Sequence, residues 1–250
     1  MIKGQARGRL DAGDLQFLVA ALCRPGERKE TLYRMLVDEE MRDAMLDHPR
    51  VLEYLLHYRQ TTMISPFLYF YILVRQALKE FNIDEREVSD YVAHLLAEFG
   101  KCGRAQRVDE HATKEYRYLV DMMKDLLAAN SEQAFHLRSH LGNYALFLTG
   151  IFPAYIYHRA KYHPPAPDFG YYEMVGSSNY HQASRHAEAE RFRLGEILEF
   201  LGRRFKQVRL ALNYMTENFV HLDRHANTLD RVLRRVDQFI DAQQGEKNWD

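Results

Sequence analysis

The sequence has few cysteines and almost no net charge. Its 250 residues include two cysteines, 34 basic and 35 acidic residues, and the formal net charge is −1. Cys23 and Cys102 lie far apart, without the short spacing of a metal-ligand pair, so we expect two free thiols in a reducing cytoplasm. A net charge near zero argues against a general attraction to nucleic acid, to acidic membranes or to basic substrates.

Long apolar runs and a secretion signal are also missing. The most apolar run, residues 67–78, contains Arg75 and would extend ~18 Å as a helix, which is short of the ~30 Å hydrocarbon core of a bilayer. We therefore interpret it as a buried helix and expect no membrane-spanning segment. The first residues, MIKGQARGRLDAGD, lack the apolar core of a signal peptide, which again indicates a cytoplasmic protein.

The short motifs of common enzymes are absent from the sequence. It has no Walker loop, no dinucleotide-binding glycine fingerprint, no HExxH pair and no GxSxG elbow. We therefore assign no catalytic residue and no cofactor.

Histidine, in contrast, recurs at helical spacing beside acidic residues. Two stripes place one carboxylate and two imidazoles on one side of a helix at four-residue steps: Glu132, His136 and His140, and then Glu217, His221 and His225. Two facing helices of this kind can build a carboxylate–histidine metal site. Here the apolar positions place both stripes off the buried face, with His140 nearest to it. We interpret them as solvated or interface-edge histidines and assign no metal.

No segment alternates apolar and polar residues with the period of a strand, so the sequence predicts an all-α fold. We expect a bundle of about nine to eleven helices. Capping residues and prolines mark the boundaries, for example Ser65-Pro66 and Ser131. The predicted helices cover residues 14–22, 27–46, 51–58, 67–81, 85–99, 110–129, 131–150, 153–161, 171–187 and 194–240.

The longest predicted helix, residues 194–240, carries a heptad pattern. Its apolar residues follow one another at alternating steps of four and three, the spacing of a helix that packs along one seam. Unbroken, it would be ~70 Å long, whereas a compact domain of this size is ~45 Å across. We therefore expect either a break near residues 213–218 or a projecting end. This division gives a core domain at 1–215 and a helical, coiled-coil-like extension at 216–250.

A projecting end would expose its apolar seam and need a partner to cover it. We therefore expect a protein partner, or self-association, through the C-terminal helix. The predicted interface residues are Phe219, Leu222, Leu229, Leu233, Val236 and Ile240.

Two other stretches, residues 140–153 and 171–180, combine glycines inside helical patterns with side chains that have polar tips on apolar bodies. Glycine within a helix marks a bend or a close contact, so tight helix packing is one interpretation. A pocket for a small molecule or peptide is the other, because helix bundles place pockets between helices. Its lining would be His140, Asn143, Tyr171, Tyr172 and Tyr180.

The same two stretches resemble an uncharacterised family of bacterial all-helical proteins with an LGxxxLFxxGxFP segment followed by YYxxxGxxxY. The matching residues are Leu141, Gly142, Leu146, Phe147, Gly150, Phe152, Pro153, Tyr171, Tyr172, Gly176 and Tyr180. The resemblance covers residues 135–215 and implies a single all-α domain, with no established activity. In that family the position of Asn143 is often acidic, which argues against a catalytic role for this residue.

These patterns together predict a non-catalytic helical binding or scaffold protein that acts through helix–helix packing. The alternative is an enzyme or small-molecule sensor whose pocket lies at residues 140–153 and 171–180. RNA binding through the basic run Arg203, Arg204, Lys206 and Arg209 is a third and weaker reading. The heptad positions of that run are typical of a solvated flank, so we expect no nucleic-acid partner.

Overall fold

In the computed structural model, the regular secondary structure of the described residues is helical, which confirms the all-α prediction. It describes residues 2, 4–26, 28–57, 64–101, 104–108, 114–116, 118–162 and 166–220. Thirteen α-helices and no β-strand occur within these ranges. The helices are α1 (Ala12–Leu22), α2 (Lys29–Met35), α3 (Glu39–Leu46), α4 (Pro49–His57), α5 (Pro66–Glu80), α6 (Arg86–Phe99), α7 (Leu119–Ala128), α8 (Ser131–Ile151), α9 (Pro153–Tyr162), α10 (Phe169–Ser184), α11 (Ala187–Arg191), α12 (Gly195–Arg203) and α13 (Phe205–Met215).

Side-chain caps fix where several helices begin. The Ser65 hydroxyl accepts a hydrogen bond from the Leu68 N–H, and a proline occupies the first turn of α5, as the sequence predicts. The cap of α8 differs from the prediction, because it is Asn130 and not Ser131. Asn130 and Gln133 each accept, through the side chain, a hydrogen bond from the other's backbone N–H, which satisfies two donors at the helix start.

The described chain has more helices than expected, partly because one predicted helix is divided. Residues 27–46 form α2 and α3, since the Asp38 carboxylate accepts a hydrogen bond from the Met41 N–H and caps a new helix. The predicted helix 110–129 also begins too early. Residues 114–116 are not helical, and α7 starts only at Leu119.

The heptad stretch is likewise not one straight helix. α12 ends at Arg203, and Arg204 leaves helical geometry, with φ −109° and ψ 19°, before α13 begins. After α13, Thr216–Val220 form one π-helical turn, in the region where the sequence predicts a break. The remainder of the predicted helix, with interface residues Leu222, Leu229, Leu233, Val236 and Ile240, lies outside the described residues.

The centre of the helix packing is α8. It contacts α6, α7, α9, α10, α11 and α13, and α10 in turn packs on α12. Every residue of α8 from Ser139 to Ile151 is buried. A helix segment that is buried on all sides has no solvated face. The placement of His140 at the edge of the buried face is therefore wrong.

The first four helices pack around α1. α1 contacts α2, α3 and α4, and α4 contacts α5. We call α1–α4 the N-terminal layer. Asp14 on α1 ties it to the start of α5, because its carboxylate accepts hydrogen bonds from the Ser65 N–H at 2.7 Å and from the Ser65 hydroxyl at 2.6 Å. Across the described ranges, no helix combines the length and the apolar character needed to cross a bilayer.

Candidate functional site

The predicted pocket residues lie around the contact between α8 and α10, where two glycines let the helices approach closely. A Cβ atom at Gly142 would lie 2.6 Å from the Tyr180 ring, and one at Gly176 would lie 2.3 Å from the Phe205 ring. Any larger residue at either position would have to displace a ring in the packed interior. These glycines therefore serve close helix packing, the first of the two interpretations that the sequence offers.

Asn143 is the polar centre of this contact. Its side-chain oxygen accepts one hydrogen bond from the Tyr180 hydroxyl at 2.8 Å and another from the Tyr91 hydroxyl at 2.9 Å. All three side chains are buried, and Tyr91 adds α6 to the pair formed by α8 and α10. Two donors satisfy both lone pairs of the amide oxygen. We call these three residues the Asn143 network.

The phenols of the Asn143 network are donors only. Burial raises the pKa of the Tyr180 hydroxyl well above its ordinary value. Burial also raises the pKa of Tyr91, although the hydrogen bond to Asn143 lowers it in part. Both phenols therefore stay protonated at neutral pH. A network of one amide and two neutral phenols holds no group that gains or loses a proton near pH 7.

His140 is buried in an aromatic environment. Its ring centroid lies 5.5 Å from that of Phe99 and 6.3 Å from that of Tyr144, on which it stacks. Burial lowers its pKa to about 3, with a contribution from the Arg104 charge, although a hydrogen bond to the Ala105 backbone raises it in part. His140 is thus neutral at physiological pH and far from the pKa that suits a general base. Its Nε2 atom has no hydrogen-bond partner among the described residues.

Tyr171 and Tyr172 lie in the first turn of α10. Their rings meet edge to face, with centroids 5.8 Å apart. Tyr172 is buried, which raises its pKa to about 12, whereas Tyr171 is half-buried and its hydroxyl lies 3.8 Å from the Met123 sulfur. The structure thus joins Asn143 to Tyr180 by a hydrogen bond and Tyr171 to Tyr172 by ring contact. Ligand binding at these residues stays a prediction.

A second buried network joins α10, α13 and the end of α8. Arg209 forms an ion pair with Glu173 at 2.7 Å and donates a hydrogen bond to the Asn213 side-chain oxygen at 2.8 Å. The Asn213 amide nitrogen donates to the backbone oxygens of Thr149 and Gly150, at 2.8 and 2.7 Å. Carbonyls at a helix end need such partners. The placement of Arg209 on a solvated basic flank is wrong, because Arg209 is buried and the half-buried Glu173 neutralises its charge.

A buried polar stripe on α6 binds the residues that precede α1. The Asp90 carboxylate accepts a hydrogen bond from the Arg7 N–H at 2.7 Å, and the His94 Nδ1 atom accepts one from the Gln5 N–H at 3.1 Å. Glu98, one turn further along, pairs with basic side chains. The four-residue spacing of acid and histidine was visible in the sequence. The sequence does not show which chain segment the stripe binds, because that segment lies more than eighty residues away.

Burial dominates the electrostatics of this stripe. It raises the pKa of Asp90 to about 6, even though Arg7 lowers it in part. It also lowers the pKa of His94 to about 4, with a further contribution from the Arg9 charge. The two pKa values shift in opposite directions, upward for Asp90 and downward for His94, so the two groups affect stability with opposite signs as the pH changes.

The two Glu–His stripes do not form a metal site in the part of the chain that the structure describes. Within it, no three His, Cys, Asp or Glu side chains come together as a metal-ion cluster would. Glu132 and Glu217 are exposed, and the His136 ring lies 5.5 Å from that of Phe135. His221 and His225 lie outside the described residues, so the interpretation of the second stripe stays a prediction.

Compared with protein-family models, curated proteins and solved structures, the chain gives no match. The resemblance of residues 135–215 to an uncharacterised bacterial family therefore stays a prediction.

Around α8 and α10 the polar side chains mainly hydrogen-bond to one another and to helix ends. Such an arrangement is typical of a packed interior, in which buried polar groups are satisfied within the protein.

Proposed function

We propose that this protein is a non-catalytic binding protein that acts through helix–helix packing, and that its partner is a second copy of the chain. The associating segment would be the heptad stretch that follows α13. Its apolar side would carry Leu222, Leu229, Leu233, Val236 and Ile240. Phe219, the first residue predicted for this interface, is already buried in the described body, so its assignment to the partner interface is wrong. The observation that carries this proposal is the burial of the described part of the heptad pattern.

Eight successive positions of the pattern fall within the described residues, and all eight are buried. They are Leu194, Leu198, Leu201, Phe205, Val208, Leu212, Met215 and Phe219. Six of them lie on α12 and α13, which pack on α5, α6, α8 and α10. The heptad spacing therefore indicates burial in this chain even where the helix is interrupted at Arg204.

The same spacing continues from Leu222 to Ile240, which as a helix would add ~30 Å. An apolar seam of that length needs an apolar surface to cover it. A second copy offers an identical seam of equal length, so a symmetric interface can cover both at once. The chain continues well beyond Val220, where the described body ends, and this length supports the second copy as the partner.

The chemistry of the buried groups supports a non-catalytic role. The Asn143 network is neutral, and the pKa of His140 is about 3, well below the range of a general base at pH 7. Asn213 and Arg209 stabilise the end of α8. A cytoplasmic location, which the cysteine usage favours, and the bacterial origin that the family resemblance implies belong to the same proposal.

Sedimentation equilibrium of the full chain tests the proposal. We expect a monomer–dimer equilibrium whose dissociation constant lies between about 1 and 100 µM. The variant Leu229→Asp/Leu233→Asp places two carboxylates in the seam, and its dimer dissociation constant should rise at least ~100-fold because both apolar contacts are lost and charge must be buried.

The matched control is Thr228→Asp/Gln238→Asp, which adds the same charge away from the seam. It should leave the equilibrium unchanged. The proposal fails if the unmodified chain stays monomeric at ~100 µM, or if both variants weaken the dimer equally.

A further inference from the structure

The N-terminal layer contains an open cleft between α2, α3 and the end of α1. Its volume is about 540 Å³, which lies in the range of small-molecule sites. Its apolar wall is formed by Leu22, Leu32, Met35, Met41, Ala44 and Met45. None of the residues predicted from the sequence as functional belongs to it.

Three methionines make the wall adaptable. Met45 is buried, Met35 is half-buried and Met41 is 49% exposed, so the apolar surface extends from the core to the solvent. Methionine side chains are flexible and polarisable, and they adapt to apolar ligands of different shapes. The exposed part of Met41 is apolar surface that a ligand would remove from water.

The polar side of the cleft carries charge of one sign. Its charged lining residues are Arg24, Arg28 and Arg50, and no acidic residue occurs among its described lining residues. His48 lies beside these arginines. Arg50 is held in place, because its backbone N–H donates to His48 Nδ1 at 3.2 Å and its guanidinium donates to the Leu22 backbone oxygen at 3.4 Å. Guanidinium groups bind carboxylate and phosphate through paired, charge-assisted hydrogen bonds.

We infer that this cleft binds a small amphipathic anion, a molecule with an apolar chain or ring and one carboxylate or phosphate group. The methionine wall takes the apolar part, and the arginines take the anionic group. The charge of the lining disfavours cationic ligands, and the volume suits a free small molecule. The inference does not depend on the heptad seam, so either proposal can fail without the other.

Isothermal titration calorimetry of the full chain with decanoate, below its micelle concentration, tests the inference. Decanoate combines a flexible apolar chain with one carboxylate. We expect saturable binding at one site per chain. Decan-1-ol lacks the charge and acetate lacks the chain, so each should bind at least about tenfold more weakly than decanoate.

Two variants probe the two halves of the cleft. Ala44→Phe fills the cleft from α3 and keeps all the basic residues, so decanoate affinity should fall at least about tenfold. Arg24→Gln/Arg28→Gln removes two charges and should weaken decanoate about tenfold while leaving decan-1-ol unchanged. Arg203→Gln, at an exposed arginine on α12, is the control and should bind decanoate like the unmodified chain. Thermal unfolding verifies that each variant is folded.

Three results would overturn the inference. Decanoate could fail to bind, bind no better than decan-1-ol, or bind folded Ala44→Phe as tightly as the unmodified chain. Binding seen only with vesicles of anionic phospholipid, or only with an acidic peptide, would also overturn it, because the cleft would then serve a macromolecular surface.

Discussion

Polar groups lie beside apolar surface in both the α8–α10 contact and the α2–α3 cleft, but they are buried in the contact and exposed in the cleft. In the contact, Asn143 accepts two hydrogen bonds from buried tyrosines, and a glycine lets the Tyr180 ring lie directly on α8. In the cleft, Arg28 and His48 are exposed beside the half-covered side chain of Met41. The Asn143 network satisfies its polar groups within the protein, whereas the cleft presents polar side chains to solvent.

This difference separates residues that stabilise the fold from residues available to a ligand. A buried, hydrogen-bonded group is costly to replace because its partner is left unsatisfied. An exposed group beside an apolar wall can exchange water for a ligand at little cost to the fold. The residues that look most unusual in the sequence belong to the first class, whereas the cleft is built from ordinary arginine, leucine and methionine.

Disrupting the Asn143 network should have the largest effect on stability. Asn143→Leu roughly keeps the side-chain volume but leaves the hydroxyls of Tyr91 and Tyr180 without their acceptor. Each unsatisfied buried group costs about 1–3 kcal/mol, so we expect the free energy of unfolding to fall by about 3 kcal/mol. Urea denaturation followed by circular dichroism measures this change.

The triple variant Asn143→Leu/Tyr91→Phe/Tyr180→Phe is the control, because it removes the donors together with the acceptor. It should recover more than half of the loss, since apolar groups of similar shape replace the whole network. A loss below about 1 kcal/mol for Asn143→Leu alone would contradict the structural role of the network.

The buried histidine of the same helix should produce an intermediate effect that depends on pH. The pKa of His140 is about 3 in the folded chain, against about 6.5 when unfolded. The unfolded chain therefore binds the proton first as the pH falls. His140 contributes stability that is present above pH 6.5 and is lost toward pH 3, at about 2 kcal/mol between pH 6.5 and 5. Replacement by phenylalanine should flatten this slope of unfolding free energy against pH.

Asp90→Asn should change the same slope in the opposite direction. Asp90 has a pKa of about 6 in the folded chain, above the value of about 3.9 in an unfolded chain. Its contribution to stability is thus present below pH 3.9 and is lost as the pH rises through 6. This pH dependence opposes the one that the buried histidines produce. Removing it should steepen the acid loss by about 1 kcal/mol between pH 6 and 5. Slopes that move in the same direction for both variants would contradict these assignments.

Local signals in the sequence predicted much of the helical framework. Ser65-Pro66 marked the start of α5, and the heptad spacing predicted eight buried residues from Leu194 to Phe219. The division of residues 27–46 was also signalled locally, by the capping residue Asp38. It was missed because the apolar pattern on either side suggested one continuous helix.

The contacts of the candidate site depend on residues far apart in the chain, and no local pattern identifies them. Tyr91 and Asn143 are 52 residues apart, and Arg209 and Glu173 are 36 apart. Periodicity shows that a face is buried but not which residue lies opposite, so the heptad register wrongly predicts a solvated flank for Arg209. The cleft has no sequence signature, because its lining comes from two short helices and the ends of two others.

The smallest expected effect decides whether the cleft is separate from the core. Met41→Gln changes a side chain that is 49% exposed and should alter the free energy of unfolding by less than about 0.5 kcal/mol. The same substitution at Met215, which is 0% exposed, should cost about 3 kcal/mol, because it buries an amide among apolar side chains. Urea denaturation of the two variants in parallel makes the comparison. If Met41→Gln is as destabilising as Met215→Gln, the methionine wall is part of the core. The cleft would then not be a separate surface that can bind a ligand.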